Sequence, residues 1–311
     1  MKELQEIMRL WQQHRGKPLA LATLVRVRGS SYRRPGARML IAANGATAGA
    51  LSGGCLEEEV AARAQEVMRT GMPAVMVFDT RRRFGCNGTI TVFVERVQEK
   101  FLAELRAELQ QRRGCFAVTS FEPDADESGT RLLGPNDAAP DHDFVQRIEP
   151  PIQLLLFGQK PDSTPIRAFA EMLGWTVREF HHAAELPTAA DARTAAVVKS
   201  HNYGRDCAAL RQLLQLDLRY VGLLGPRRRR DQLLGDLLDS GVAIEAELFA
   251  PAGLDLAAET PEEVAFSIVA EIQAVFADGS GEPLRERKAP IHGWNVARRA
   301  GAAAACELSA R

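Results

Sequence analysis

The sequence predicts an α/β protein: an N-terminal α+β domain followed by a doubly wound parallel-sheet domain. Three observations carry this. The chain has 311 residues, and domains typically hold roughly 100–200 residues. The second half alternates short apolar runs with helical patterns, as parallel strands joined by crossover helices do. The first half instead opens with one helix and then places three strand-like runs before the next.

The elements follow in order. Leu4, Ile7, Met8 and Trp11 fall at helical spacing, so an amphipathic helix opens the chain. Pro18–Arg28, rich in β-branched and apolar residues, reads as a strand, followed by strands near 38–42 and 46–51. Cys55–Thr70 reads as a helix stopped by Gly71. Strands at 73–79 and 89–97 flank a loop at 80–88. A helix over 99–113, ended by Gly114, leads to a strand at 115–121. Residues 123–150 are acidic, rich in Pro and Gly and without periodicity, and read as a linker. Ile152–Phe157 is a continuous apolar run, as a strand buried on both faces requires. Strands at 175–180, 194–199, 218–224 and 247–249 alternate with helices ending near 173, 215 and 240. Thr260, Pro261 and Glu263 form a capping box with a proline start for a last helix reaching Phe276. The expected domains are 1–122 and 151–280, with a linker at 123–150 and a tail at 281–311.

Hydrophobic residues make up 46% and charged residues 25%, enough apolar material for two cores. The net charge of −1 provides no basic field for sequence-independent nucleic-acid binding. No apolar run approaches the ~20 residues that span a bilayer, and Met1–Leu10 is no signal peptide. Five widely spaced cysteines, an odd number, suit reduced thiols in the cytoplasm better than a disulfide framework. No CxxC pair suggests structural zinc.

Five segments could carry chemistry. Gly29–Arg38 (GSSYRRPGAR) joins two strands. Its glycine-freed amides and the forks of Arg33 and Arg38 suit an anion, although taken alone it reads as an ordinary loop with solvated arginines. In Leu51–Glu57 (LSGGCLE), Gly53 and Gly54 permit close ligand approach. A helix starting at Cys55 would favour its thiolate, the form that ligates metal or carries sulfur; the alternative is an inert packing cysteine. Cys86 stands in a second glycine loop, Phe84–Gly88, which reads equally well as a tight turn. Cys115, Cys207 and Cys306 lack such loops and receive packing or surface roles.

The fourth segment is the turn after the 152–157 strand. A dinucleotide turn reads G-x-G-x-x-G; here it is Gly158-Gln159-Lys160-Pro161-Asp162-Ser163. The domain is thus Rossmann-like with a degenerate fingerprint, and Lys160 stands where backbone should touch pyrophosphate. Glu179 lies near the ribose-binding position. The fifth is Gly225-Pro226-Arg227-Arg228-Arg229-Arg230. There a glycine and a helix N-terminus with four arginines suit an anion, or simply a charged face gripping an acidic surface. His201 follows the third strand, at the carboxyl end of the sheet where ligands bind; a lone histidine is more often structural.

GSSYRRPGARMLI followed by GALSGGCLEEEV resembles the N-terminal signature of the XdhC/CoxI family of xanthine dehydrogenase accessory proteins. GCNG at 85–88, RYVGLLGPRRRRDQLL and the segment 250–272 resemble that family in the same order, from about Leu19 to Arg287. The resemblance implies a non-catalytic maturation factor. It would bind molybdenum cofactor, assist its sulfuration by a cysteine desulfurase and, as a homodimer, deliver it to an apo molybdoenzyme of the xanthine dehydrogenase type. In those terms Cys55, with Cys86, would hold the metal or the sulfur, and Gly53, Gly54, Arg33 and Arg38 the pterin phosphate. Gly158, Asp162, His201, Gly225 and Arg227 would form a second cofactor-binding set. The chain departs from the family at Lys160 and at His181, where an aspartate is expected, which weakens a nucleotide role. Two alternatives stay open: an NAD(P)-binding oxidoreductase, and a redox module in which Cys55 and Cys86 form a reversible disulfide.

Overall fold

The computed structural model describes residues 1–83, 88–122, 128–134, 137, 143–158, 163–242, 244 and 246–288. Residues 3–149 form one compact unit and residues 150–282 another.

In the first unit, α1 (Lys2–Gln13) precedes β1 (Leu19–Gly29), β2 (Arg38–Ala42) and β3 (Thr47–Gly49). Then come α2 (Glu57–Thr70), β4 (Ala74–Asp79), a single turn α3 (Thr80–Arg83), β5 (Gly88–Arg96), α4 (Glu99–Gln110) and β6 (Cys115–Ser120). The antiparallel sheet runs β3-β2-β1-β5-β4. Side-chain alternation sorts β1 and β2 onto two faces. Ala20, Ala22, Leu24, Met39 and Ile41 pack on α2 through Val60, Ala64, Val67 and Met68. Leu19, Leu21, Leu40 and Ala42 pack on α1 and α4. Burial on both faces is why β1 reads as an unbroken apolar run. Each fully buried large aliphatic side chain contributes about 1.5–3 kcal/mol.

Two expectations change here. Part of 123–150 is strand, not linker: β7 (Gly129–Leu132) and β8 (Phe144–Ile148) flank β6 in a second antiparallel sheet. The Thr119 and Thr130 hydroxyls meet at 3.0 Å across it, and Glu95 accepts from both the amide and the hydroxyl of Thr130. Helix α4 ends before Gly114. Arg112 takes the left-handed position (φ 55°), and the Arg113 amide returns to the Glu108 carbonyl at 2.9 Å.

The second unit contains β9 (Gln153–Phe157), α5 (Ser163–Met172), β10 (Thr176–Phe180), β11 (Thr194–Val198), α6 (Tyr203–Leu213), β12 (Tyr220–Leu223), α7 (Arg227–Asp239), β13 (Leu248–Phe249) and α8 (Pro261–Ala277). All pairs in β10-β9-β11-β12-β13 are parallel. Leu155, Phe157, Ala196, Val198, Val221 and Leu223 face α6 and α7. Leu154, Leu156, Ala195, Val197 and Tyr220 face α5 and α8. The sheet is therefore covered on both sides, and strand order reverses at β9/β11. The Thr260 hydroxyl accepts from the Glu263 amide and Glu263 reaches back to the Thr260 amide, forming the capping box of α8. Pro226 occupies the N-cap of α7, not its first turn. No helix among the described residues is long and apolar enough to cross a membrane.

Candidate functional site

The pairing register brings the N-terminal candidates to one end of the antiparallel sheet. Thr23 pairs with Arg38, Met39 with Gly49, Gly29 with Gly88, and Asp79 with Thr89. The connections 30–37, 50–56 and 80–87 therefore all leave the sheet at that end. The base of the third is closed by Thr80, whose hydroxyl donates to the Gly88 carbonyl (2.7 Å) and accepts from the Gly88 amide (3.2 Å). Gly88 itself lies against the Arg28 and Ser30 carbonyls, where a Cβ would not fit. Cys86 lies outside the described residues.

Cys55 is a free, exposed thiol, but it is not in a helix. Helix α2 begins at Glu57, and Leu56 at its N-cap supplies no side-chain cap. The expected helix start at Cys55 fails because Glu57 folds back over the preceding loop. Its Oε1 accepts from the Leu51 amide (3.1 Å) and Ser52 amide (2.8 Å). Its Oε2 accepts from the Ser52 hydroxyl (2.7 Å) and the Leu56 amide (3.0 Å). Burial works against ionisation of Glu57, but these hydrogen bonds outweigh it and hold its carboxyl below the usual glutamate value. The Ser52 Oγ in turn accepts from the amides of Gly54 (3.1 Å) and Cys55 (3.0 Å). The amides of Gly54 and Cys55 thus already serve the loop itself. A Cβ on Gly53 or Gly54 would meet nothing within 4 Å, so neither glycine is required by packing, although Gly54 has φ 109°.

The two arginines separate. Arg33 stays near the Cys55 loop and feels the charge of Glu57. It is gripped by Glu3 of α1 through two bonds of 2.6 and 2.5 Å, which raise its pKa. Arg38 turns inward on the α1–α4 side and is only 6% exposed. One nitrogen donates to Gln146 and, at 3.3 Å, to the Gly36 carbonyl, while Nε and Nη2 are buried without partners. Burial lowers its pKa to about 10. A surface ligand cannot reach it, so the expected phosphate role is corrected to an interior one. Cys115 is half-buried, and burial pushes its thiol up to about 11, consistent with a packing role.

The second set lies at the carboxyl ends of the parallel strands. Gly158 follows β9 with φ 141°, and a Cβ there would lie 2.7 Å from the Lys199 carbonyl. This glycine is therefore demanded by the meeting of β9 and β11, whatever the ligand. His181, where the family pattern expects an acid, donates through Nδ1 to the Gly158 carbonyl at 3.1 Å. Arg205 donates to the His181 carbonyl at 2.5 Å. His201 stands after β11 in the left-handed region (φ 55°), uncommon for a side-chain-bearing residue. The loop around it is tied down by Asp206, which accepts from the Ser200 amide (3.1 Å) and hydroxyl (2.5 Å) and pairs with Arg229 at 2.6 Å. Gly225 (φ 154°) leads into α7, whose first residue, Arg227, is exposed. Lys160 and Asp162 lie outside the described residues.

Sequence reasoning missed Glu57, Ser52, Glu3, Lys199 and Asp206. Lys199 was open to notice: a lysine closing the apolar run TAAVV is fully buried at the sheet's reversal point. The grip of Glu3 on Arg33 spans 30 residues, and no local pattern announces it.

Both units match known families. Residues 12–79 match the XdhC and CoxI family, and residues 154–272 match the XdhC Rossmann domain. A Bacillus subtilis protein, named as a probable xanthine dehydrogenase subunit, is 33% identical over 310 residues, spanning 81% of this chain and 91% of that protein. The chain belongs to the XdhC and CoxI family. An Escherichia coli relative of this XdhC-type chain, named molybdenum cofactor insertion chaperone PaoD, is 26% identical over 285 residues, with 84% of each chain covered. A crystal structure from Bacillus halodurans described as a xanthine dehydrogenase superposes with a TM-score of 0.72 at 25% identity, over 91% of this chain and 98% of the other. Among the described residues of the XdhC-type chain, no group of three or more His, Cys, Asp or Glu could hold a metal ion.

Proposed function

We propose that the protein carries molybdenum cofactor as cargo, supports its sulfuration by a cysteine desulfurase, and inserts it into an apo-enzyme of the xanthine dehydrogenase type. The observation that carries this reading is Cys55. It is an exposed free thiol on a loop held by its own side chains, at the sheet end where the Arg33 loop and the loop containing Cys86 also emerge. A thiolate there can ligate a soft metal centre or carry a sulfur atom. The names of the Bacillus subtilis and Escherichia coli relatives support the same reading. Arg33, which feels the charge of Glu57, is a candidate for the pterin phosphate once Glu3 yields its fork.

The test is co-expression with a supply of molybdenum cofactor, anaerobic purification, and molybdenum and pterin per chain for wild type and Cys55→Ala. Cargo in wild type and its loss in the variant support the reading. Wild type carrying neither metal nor pterin overturns it. A second reading draws on the shared sheet end of the two cysteine loops: a reversible Cys55–Cys86 disulfide. Thiol titration with and without reductant would show two thiols appearing on reduction.

A further inference from the structure

We infer that Glu57 is the positioning residue of the Cys55 loop, setting the one conformation in which the thiol is offered. The inference deepens the cargo reading above and rests on it for the role of Cys55.

The loop is anchored at its ends by Leu51 and Leu56, both buried. Between them, Gly53, Gly54 and Cys55 are exposed and Ser52 is half-buried, so packing does not hold them. No side chain caps the helix behind the loop at Leu56. Hydrogen bonds remain, and they converge on one carboxylate. Glu57 accepts from three amides and from the Ser52 hydroxyl. Ser52 spends its only proton on Glu57, which turns its lone pairs to the amides of Gly54 and Cys55. Glu57 therefore orders the backbone at Cys55 through a two-step relay.

The chemistry demands an ionised carboxylate. Only that group offers acceptors on both oxygens, and hydrogen bonds to a charged acceptor are about twice as strong as neutral ones. A glutamine has the same size but puts an NH2 where one oxygen was. Two of the four donors then face another donor: either the Leu51 and Ser52 amides that fix the start of the loop, or the Leu56 amide and the Ser52 hydroxyl that begins the relay. Aspartate keeps the charge but is one methylene too short to span from the helix to Leu51.

The test uses the full chain with Glu57→Gln, Glu57→Asp and, as control, Glu58→Gln on the exposed neighbouring residue. Two quantities are read: molybdenum and pterin per chain after co-expression, and amide-exchange protection at Gly54 and Cys55. In Glu57→Gln, protection at both amides should fall by about tenfold, the equivalent of roughly one lost hydrogen bond. Cargo should drop towards the Cys55→Ala level, and Glu58→Gln should match wild type in both. Glu57→Asp should fall with Glu57→Gln in both quantities, and wild-type behaviour there overturns the claim of reach. Unchanged protection in Glu57→Gln overturns the proposal even if cargo is lost, because Glu57 would then touch the cargo rather than position the loop. Lost protection with unchanged cargo overturns it too. If wild type carries no cargo, the cargo reading fails, and Cys55 alkylation replaces the second readout: equal rates in wild type and Glu57→Gln overturn the positioning role.

Discussion

Replacing Arg229 with methionine should cost more stability than replacing Asp206 with asparagine, although each breaks the same ion pair. The asymmetry comes from where the two groups sit. The Asp206 side chain has no exposed surface, while that of Arg229 keeps 23% exposure. Without the guanidinium, an enclosed carboxylate keeps only its two Ser200 donors, and breaking a buried pair this way costs about 3–5 kcal/mol. Without the carboxylate charge, Arg229 can turn to water, and the asparagine oxygen still accepts from the Ser200 amide and hydroxyl. That loss is about 1–2 kcal/mol. The gap of about 2 kcal/mol corresponds to roughly 6–10 °C in the melting temperature of a unit this size. Thermal melts followed by fluorescence of the buried Trp175, which lies in the same unit, measure it. Equal losses, or a costlier asparagine, would refute the argument that Asp206 is the enclosed partner.

Other outcomes can be stated briefly. Gly158→Ala should destabilise by about 1–3 kcal/mol, because φ and the Lys199 carbonyl both oppose a Cβ. Gly53→Ala should stay within about 0.5 kcal/mol of wild type, so any loss of cargo in it reports ligand approach rather than folding. Arg38→Met should cost about 1–3 kcal/mol in urea titration, because it gives up the bonds to Gln146 and the Gly36 carbonyl and the charge that favours ionised Glu95; no loss would contradict this. The Glu57 carboxyl is held below its ordinary value of 4.5, so its contribution is full above that value and is lost as pH falls through the lower folded-state value. NMR shifts of the Ser52 and Leu56 amides should titrate with a midpoint below 4.5; one above it would remove the clamp. Thr260→Ala should cost about 1 kcal/mol through the lost cap of α8, read from the melting temperature.

Much of the fold was legible because the strongest local signals agree with burial. The apolar runs at 152–157 and 194–198 are sheet interior, and the Thr260-Pro261-Glu263 pattern does start a helix. The strands β7 and β8 were not legible. GTRL and FVQRI are short, and what makes them strands is pairing with β6, a contact across sequence rather than along it. The start of α2 was misplaced because CLEEEV has helical propensity throughout, while the decision belongs to Glu57, whose side chain takes the loop amides. Arg38 could have been placed by parity. It shares a strand face with Leu40 and Ala42, so it had to point into the core.

The antiparallel sheet of the first unit keeps its ladder largely independently of the residues that fill the turns at the end where the Cys55 loop emerges. Exceptions sit at the stems: a side chain on Gly49 would run into the Arg38 carbonyl, and one on Gly88 into the backbone at 28–30. Between such pinned points, position 53 carries no steric duty towards the scaffold, while position 54 is held to glycine by its φ of 109°. Two kinds of constraint therefore act in one domain. Stem positions answer to folding, whereas a loop position such as 53 is left free of it. A change at such a loop position leaves the scaffold beneath it as it was.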